Sequence, residues 1–326
     1  MSQQKINLVW LKRDLRLRDH AALARLVQTD TPTLLVYCFE PSLERHPDYS
    51  LRHWRFVWES LQDLKLQLED TAIELLIFRA EVLDVFSQLA NFYHIQAILS
   101  HMEIGLKITF DRDKAVKKWC QSKGIDYLEF QQDAVIRGQK HRRGWKEGLD
   151  AHFATPPFQY DLQQVYSPPI LPDLASLLEQ QTIPEAYQQC NDSFQPGGES
   201  YAWRYLSSFL QNRSQQYSRG LSKPTISRTS CSRISPYLAY GNISVRELYQ
   251  HTARHAEQIR DDFHLPNFLT RLFWRSHYLQ KLESGYHLEY EPINAGFQQL
   301  DRQTAGPLWE AFTEARTGYP MVDASI

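Results

Sequence analysis

The chain is poor in cysteine and has no apolar run long enough to cross a membrane. Its 326 residues include only Cys38, Cys120, Cys190 and Cys231, which show no paired spacing. Scattered cysteines are typical of reduced cytosolic thiols, and they disfavour a disulfide framework or a metal site. The N-terminal sequence MSQQKINLVW also lacks the basic start and apolar core of a secretory signal. We therefore expect a cytoplasmic protein with no membrane association and no metal.

No glycine-rich fingerprint follows the first predicted strand. The sequence WLKRDLRLRD (Trp10–Asp19) occupies the position where G-x-G-x-x-G would have to stand. A conventional dinucleotide site in this part of the chain is therefore not expected.

Acidic residues are absent between Tyr201 and Arg246, although the whole chain is balanced, with 36 Lys and Arg against 38 Asp and Glu. This acid-free segment also contains many hydroxyl and aromatic side chains. Arginine, hydroxyl and aromatic groups together hold phosphate oxygens and stack on planar rings. The alternative is an ordinary solvated helical face, but the missing acids favour phosphate binding. The basic residues of the segment are Arg204, Arg213, Arg219, Lys223, Arg228, Arg233 and Arg246.

The length of 326 residues, with 42% hydrophobic and 23% charged residues, predicts a globular protein of two domains. In the first 132 residues, short apolar runs alternate with amphipathic stretches. Continuous apolar strands between helices predict a doubly wound, Rossmann-like α/β domain whose parallel sheet is covered on both faces. A ligand is then expected at the carboxyl ends of the strands. The predicted strands are Ile6–Lys12, Thr33–Phe39, Ile73–Phe78, Gln96–His101 and Asp126–Phe130, and the predicted helices are His20–Gln28, Leu51–Leu68, Ala80–Phe92 and Ile108–Ser122.

The pattern changes after residue 132. Residues 133–196 contain double prolines, which cannot continue a helix, and they predict a linker over the surface. Residues 197–326 show apolar residues at helical spacing and predict an all-α domain. One apolar face is predicted to contain Phe268, Leu269, Leu272, Phe273 and Tyr278.

Two helical segments contain residues suited to a cofactor. In SCSRISPYLAYG (Ser230–Gly241), hydroxyl residues and one arginine precede Pro236, which suits the first turn of a helix. Free N–H groups at that point would bind a pyrophosphate, and simple N-capping by serine is the alternative. In NFLTRLFWRSHY (Asn267–Tyr278), Trp274 either packs between helices or forms one wall of a pocket for a planar cofactor.

Five ordered segments resemble motifs of the photolyase/cryptochrome flavoprotein family. LVWLKRDLRLRDHAAL is similar to the family's WFRRDLRLxDNxAL, and GGESYAWRYLSSFL to GGxxxAxxxLxxFL. TSCSRISPYLAYGNISVREL is similar to TSxLSPyLxxGxiSxR. LFWRSHY is similar to LIWREFY, and ARTGYPMVDA to GxTGYPxVDA. The resemblance spans the whole chain.

The resemblance implies FAD in the helical domain and UV-damaged DNA as the partner of a monomeric protein. It implies that Trp274 stacks on a pyrimidine dimer flipped out of DNA, beside Arg271. It implies DNA-backbone contacts by Arg219, Lys223 and Arg228, and contact between Glu103 and an antenna chromophore of folate or deazaflavin type in some members. The implied cofactor-binding residues are Tyr217, Cys231, Ser232, Arg233, Ile234, Ser235, Phe268, Arg275 and Tyr278.

The chain departs from the family pattern at five positions near these sites. Arg271 stands where repair enzymes usually have a glutamate, and Ser276-His277 replaces Glu-Phe. Cys231 replaces a threonine of the phosphate stretch, and Met102 replaces the asparagine before Glu103. Because family members continue past the TGYP motif, we also expect part of the flavin pocket to lie beyond Ile326, in a longer protein.

The resemblance thus implies a light-driven DNA photolyase, in which reduced FAD transfers an electron to a pyrimidine dimer. A cryptochrome-type photoreceptor without repair activity is the first alternative, and Arg271 favours it. A module that binds no flavin is the second alternative. The lesion type, the strand preference and the antenna identity stay open at this point.

Overall fold

A computed structural model describes residues 3–139, 143–300 and 305–326. The chain divides into two compact units, Met1–Ser284 and Gly285–Ile326. The first unit contains a five-stranded parallel sheet with the strand order β3-β2-β1-β4-β5. The strands are β1 (Lys5–Trp10), β2 (Thr33–Cys38), β3 (Glu74–Phe78), β4 (His94–His101) and β5 (Asp126–Phe130).

Helices cover the sheet and form the remainder of the first unit. Those around the sheet are α1 (Ala21–Leu26), α2 (Pro41–Glu44), α3 (Leu51–Leu68), α4 (Val82–Phe92) and α5 (Lys107–Lys123). They are followed by α6 (Trp145–Ala154), α7 (Pro172–Glu179), α8 (Glu185–Gln188), α9 (Glu199–Gln211), α10 (Tyr217–Gly220), α11 (Pro224–Ser230), α12 (Ser235–Ala239), α13 (Val245–Ile259) and α14 (His264–Ser284). Short 3-10 turns occur at Leu162–Gln164 and Arg213–Gln216.

Alternate residues of β1 belong to two different hydrophobic cores. Val9 packs in a core with residues of α1 and α3, whereas Leu8 packs with residues of α4 and α5 on the opposite face. This arrangement follows from the two-residue period of a strand whose two faces are both covered. The predicted doubly wound α/β fold is confirmed, and so is the helical part that follows it. That part has its own core, which includes Phe209, Tyr237 and Leu272.

The segment predicted to be a surface linker is folded and partly buried. It contains α6, α7 and α8, and the predicted course over the surface is wrong for its buried residues Leu149, Phe153 and Leu174, whereas its role as an interdomain linker stays a prediction. Leu149 and Phe153 pack in the helical core, and Leu174 packs against the face of the sheet that carries α4. The prolines only delimit these helices. The domain boundaries at residues 132 and 196 stay a prediction.

The helical part docks on the loop that follows β1. Leu15 N–H donates to Tyr240 O at 3.1 Å, and the Asn242 side chain donates to Leu15 O at 2.9 Å. Gly241 has φ +67°, and a Cβ at this position would lie 2.1 Å from Arg13 O. Only glycine tolerates this approach, so Gly241 fixes the docking of the two parts.

The second unit contains α15 (Pro307–Thr313), α16 (Pro320–Asp323) and the 3-10 turns Tyr286–Glu289 and Ala295–Gln299. In its described residues every apolar side chain is at least partly exposed, and Met321 is 83% exposed. Across the described parts of the chain, no helix has both the length and the apolar character that a membrane span requires.

Candidate functional site

The loop Cys231–Ser235, here called the cradle loop, joins α11 to α12. Arg233 adopts a left-handed backbone conformation with φ +58°, which is costly for a residue with a side chain. Ser232 is buried, and its hydroxyl accepts a hydrogen bond from Ile234 N–H at 3.4 Å. Among the described residues, no hydrogen bond occupies the N–H groups of Ser232, Arg233 and Ser235. Three backbone donors are therefore available to an anion.

Arg213 holds the cradle loop from one side. Its guanidinium donates to the carbonyl oxygen of Cys231, and to that of Ser232 at 3.3 Å. In a planar trans peptide, the carbonyl and the following N–H point in opposite directions. The N–H groups of Ser232 and Arg233 therefore point away from Arg213. The sequence offered no signal for this role, because Arg213 looked like any other cation of the acid-free segment.

Helix α14 presents Arg271, Trp274 and Tyr278 along one exposed stripe, since spacings of three and four residues repeat one helical face. Trp274 is 52% exposed and Tyr278 is 58% exposed. Their rings are stacked, with centroids 6.1 Å apart and an angle of 26°. Phe268 and Leu272 are buried on the opposite side of the helix. The prediction that Tyr278 shares their face was wrong.

Tyr217 connects the stripe to the helical core. Its buried ring lies 5.6 Å from each of the rings of Phe209 and Phe268. Burial raises the pKa of Tyr217, and the guanidinium of Arg271 beside its hydroxyl opposes that rise. The thiol of Cys231 also acts on Tyr217 electrostatically. The fold thus brings Tyr217, Arg271 and the cradle loop together, and Phe268 shapes the core beneath them.

Arg275 points away from the exposed stripe. Its guanidinium donates to Asp133 Oδ1 at 2.6 Å and to Leu238 O at 3.1 Å. These contacts tie α14 to the loop after β5 and to α12. The charge of Arg275 is therefore compensated within the protein, and its contact with a cofactor stays a prediction.

The three residues predicted to contact DNA lie on α10 and α11 or between them. Arg219, Lys223 and Arg228 are exposed, and no carboxylate of the described residues lies within salt-bridge distance of them. Arg246, which belongs to the same acid-free segment, differs from them. It is buried and ion-paired with Asp19, with an Nε–Oδ2 distance of 2.9 Å. The segment therefore mixes exposed cations with structural ones.

Glu103 lies in a buried ion network at the carboxyl edge of the sheet. It accepts from Arg112 at 2.7 Å, and its carboxylate lies 3.3 Å from Arg13 Nε. Arg112 also pairs with Glu40 at 2.6 Å. Burial raises the pKa of Glu40, and Arg112 opposes the rise. We call Lys12, Arg13, Glu40, Glu103, Arg112 and Asp113 the sheet-edge network. Its charges come from the segments after β1, β2 and β4 and from α5.

A cavity of about 680 Å³ lies beside this network, between the sheet edge and the cradle loop. It is lined by Arg13 after β1, by Tyr49 before α3, by Tyr240 after α12 and by Arg233 of the cradle loop. The cavity is large enough for a drug-sized ring compound. It lies beyond the carboxyl ends of the strands, where the sequence predicted that a ligand of a doubly wound sheet would bind.

Asp14, His20 and His101 form a second buried cluster after β1, which the sequence did not reveal. Asp14 Oδ2 lies 3.1 Å from His20 Nε2 and 2.8 Å from His101 Nδ1. The other ring nitrogens accept from Leu23 N–H and Ala21 N–H, so all four nitrogens are engaged. Burial lowers the pKa of His101 to about 3. Burial alone would raise the pKa of Asp14, but hydrogen bonds from both imidazoles hold it well below its usual range.

Glu199, the first residue of α9, links the helical part to the loop after β1. Its carboxylate accepts from Leu17 N–H at 2.7 Å and from Arg18 N–H at 3.3 Å. Burial raises the pKa of Glu199 to about 7, against the effect of these hydrogen bonds. The titration of this carboxyl is therefore displaced towards neutral pH.

Comparisons with known proteins agree with this geometry. A family model described as DNA photolyase matches residues 7–155, and one described as FAD binding domain of DNA photolyase matches residues 268–326. A deoxyribodipyrimidine photo-lyase of Synechococcus sp. is 25% identical over 98% of this chain and 69% of its own length. Cryptochrome-1 of Spalax judaei is 22% identical over 97% of this chain, which spans only 57% of that relative. The crystal structure of a Synechocystis sp. cryptochrome superposes with a TM-score of 0.81 at 20% identity, covering 99% of this chain and 71% of that one.

Proposed function

Because the chain belongs to the photolyase/cryptochrome family, we propose that it binds FAD and uses light to split pyrimidine dimers in DNA. The observation that carries the proposal is that Tyr217 lies close both to Cys231 of the cradle loop and to Arg271, the first residue of the stripe that also exposes Trp274 and Tyr278. A phosphate-binding loop beside exposed aromatic rings suits a flavin nucleotide on one side and a nucleobase on the other.

The residues of the cradle loop fit the phosphates of FAD. The N–H groups of Ser232 and Arg233 point away from Arg213, and the hydroxyl of Ser235 lies at the start of α12. Charge-assisted hydrogen bonds from such donors are the strong ones in phosphate recognition. Cys231 supplies no hydroxyl, and its backbone N–H already donates to Ser227 O at 2.9 Å. We expect the FAD phosphates at this loop, with Tyr217 beneath them.

The exposed stripe fits a base that has left the duplex. A pyrimidine dimer must be extruded before it can be reached, and aromatic stacking offsets part of that cost. Trp274 offers an exposed ring for stacking, while Tyr278 supports the ring from behind. Arg219, Lys223 and Arg228 would hold the flanking phosphates, because they carry no internal counter-charge.

Arg271 would replace the usual glutamate as the group that holds the dimer. Its guanidinium can donate a hydrogen bond to a pyrimidine carbonyl oxygen, and its fixed positive charge would stabilise the negative charge that develops there. It cannot deliver a carboxyl proton. The chemistry that reduced FAD supplies when bound is light-driven transfer of one electron to the dimer and its return once both cyclobutane carbon–carbon bonds have broken. The protein orients the partners and excludes water.

The proposal is tested with the full chain by measuring its flavin absorption, then reducing and illuminating it with an oligonucleotide that contains one cyclobutane dimer. We expect light-dependent loss of dimers. Trp274→Leu should slow the loss by about tenfold or more at subsaturating DNA, because stacking is lost. Trp119→Leu, on the far side of the sheet, is the matched control. A flavin-bearing chain that leaves dimers intact would refute repair, and a colourless preparation would indicate a module without flavin.

A photoreceptor without repair activity is the second candidate, because Arg271 is not the residue usual in repair enzymes and several relatives are named cryptochromes. The variant Arg271→Glu distinguishes the two. If the wild-type chain photoreduces its flavin but neither it nor Arg271→Glu splits dimers, the photoreceptor role is favoured.

We also propose that the chain binds an antenna chromophore. The cavity of about 680 Å³ beside the sheet-edge network would accommodate it, with Tyr49 and Tyr240 available for stacking. Glu103 would act by holding Arg13 at the cavity, since its own carboxylate is occupied by Arg13 and Arg112. An added folate or deazaflavin should therefore bind, and Glu103→Gln should weaken its binding severalfold. Unchanged binding would contradict this role for Glu103.

A further inference from the structure

A groove of about 830 Å³ lies between helix α9, the end of α11 and residues 192–196, and it shares Phe194, Gln195 and Arg233 with the cavity of about 680 Å³. The exposed side of α9 contributes Tyr201, Arg204, Tyr205 and Ser208 to its walls. The remaining cations come from Arg213, Arg228 and Arg233. Arg228 is assigned above to the DNA backbone and Arg233 to the cradle loop, but neither FAD nor DNA requires Arg204 or the two tyrosines, so this part of the groove is unexplained by that function.

The groove carries an uncompensated positive charge. Four arginines and one carboxylate, Asp192, line it, which gives a net charge of +3. Among the described residues no carboxylate lies within 4.0 Å of Arg204, Arg228 or Arg233. The contacts of Arg213 are all with neutral oxygens, so its charge is not cancelled. Burial and the neighbouring Arg233 lower the pKa of Arg213. An anion in the groove would relieve this repulsion.

Aromatic rings accompany the charges. The guanidinium of Arg204 lies 5.1 Å from the centre of the Tyr201 ring, and that of Arg213 lies 5.9 Å from the Tyr205 ring. Such pairs hold the rings in place at the wall of the groove. Cations for phosphate and rings for stacking are the two requirements of nucleotide binding.

The groove is separate from the phosphate site of the cradle loop. Arg213 holds the carbonyl groups of Cys231 and Ser232 from the groove side, so the N–H groups of Ser232 and Arg233 point to the other side. A phosphate on those N–H groups and a phosphate in the groove would therefore occupy opposite sides of the same loop.

We propose that this groove binds a second nucleotide, with its phosphates on Arg204, Arg228 and Arg233 and its base on Tyr201 or Tyr205. The ligand is a phosphorylated nucleoside, either free or at the end of a strand. The proposal does not depend on flavin chemistry or on repair.

The test is calorimetric titration of the full chain with three probes: ATP in the presence of EDTA, inorganic tripolyphosphate and an octathymidylate. We expect saturable binding of ATP that Arg204→Gln weakens by about 10- to 100-fold, as expected for loss of a charge-assisted hydrogen bond. Arg254→Gln, an exposed arginine on α13, is the matched control and should leave the affinity unchanged. Tyr201→Leu should weaken ATP by about fivefold or more and leave tripolyphosphate unaffected.

Several outcomes would overturn the proposal. These are the absence of saturable ATP binding, equal weakening by Arg204→Gln and Arg254→Gln, and competition of ATP with FAD for one site. Equal affinity for ATP and tripolyphosphate would refute the stacking role of the tyrosines. Tighter binding of octathymidylate than of ATP, with the same loss in Arg204→Gln, would identify a strand as the source of the nucleotide. Flavin content, measured on the same samples, should be the same in Arg204→Gln and in the wild type, which separates this result from failure of the proposed function.

Discussion

Two charged regions of the first unit use the same residue types in opposite ways. In the sheet-edge network, the charges are buried and paired with one another, as Arg112 is with Glu40 and Glu103. Along α9 to α11, cations such as Arg204 and Arg228 are exposed and have no carboxylate partner among the described residues. Buried charges must be compensated by partners within the protein, whereas exposed cations without such partners remain available to the phosphate of a ligand. The first region therefore organises the fold, and the second is open to ligands.

The same contrast between buried, paired cations and exposed, unpaired ones can be tested inside the acid-free segment. Arg246→Gln should lower the free energy of unfolding by about 3 to 5 kcal/mol, because it leaves the buried Asp19 carboxylate without its ion-pair partner. Arg228→Gln should change it by less than about 0.5 kcal/mol, since Arg228 is exposed and unpaired. Urea unfolding of both variants measures the difference. Equal losses of unfolding free energy in the two variants would mean that Arg246 and Arg228 contribute alike to stability.

The buried histidine cluster predicts a loss of stability in acid. The pKa of His101 is lowered from 6.5 to about 3 in the folded protein, so the folded state resists protonation that the unfolded state accepts. The contribution of His101 to the free energy of unfolding is full above pH 6.5. It falls as the pH approaches 3, by about 1.4 kcal/mol per pH unit for one group. His101→Asn should flatten this dependence, whereas His94→Asn, at the exposed start of β4, should not. Parallel pH profiles for both variants would contradict the assignment.

Glu199 should show the opposite dependence. Its pKa is raised from 4.5 to about 7, so its contribution is full below pH 4.5 and is lost as the pH rises through 7. Between these limits, the free energy of unfolding of the wild type should fall by about 3 kcal/mol relative to that of Glu199→Gln. Glu69→Gln, an exposed glutamate after α3, is the control. If Glu199→Gln and the wild type keep a constant difference across this range, the carboxyl does not titrate there.

The smallest expected effect concerns a single exposed cation. Lys223→Gln should weaken DNA binding severalfold at low salt, and it should reduce the slope of log K against log salt concentration by about 0.7 to 1. Fluorescence anisotropy with an oligonucleotide at several salt concentrations measures this slope. Lys65→Gln, on the exposed side of α3, should leave it unchanged. An identical slope in both variants would remove Lys223 from the DNA-binding surface.

Local sequence patterns predicted the bounds of helices and strands better than the contacts between them. The range Leu51–Leu68 of α3 and the range Asp126–Phe130 of β5 match the prediction, because apolar periodicity and strand composition are local signals. Helices α6 to α8 were missed because the surrounding prolines hid short helices that tertiary packing stabilises. Tyr278 was placed on the wrong face because ten residues after Phe268 do not return to the same side of a helix.

Some features of the candidate site were likewise visible in the local sequence, whereas others depend on tertiary contacts. Pro236 in the first turn of α12 was readable from the sequence, and so was the cradle loop before it. The role of Arg213 and the pairing of Asp14 with His20 and His101 depend on contacts between distant segments, which one sequence does not encode visibly. Arg246 illustrates the limit, since only the fold brings Asp19 to it.

The most direct test of the account compares the affinity of the full chain for two oligonucleotides that differ by one cyclobutane dimer. The exposed Trp274 ring predicts at least about tenfold tighter binding of the damaged strand, with a Kd ratio that falls towards one in Trp274→Leu. Equal affinity of the wild-type chain for both strands, or a preference that survives Trp274→Leu, would contradict the assignment of this surface to damaged DNA.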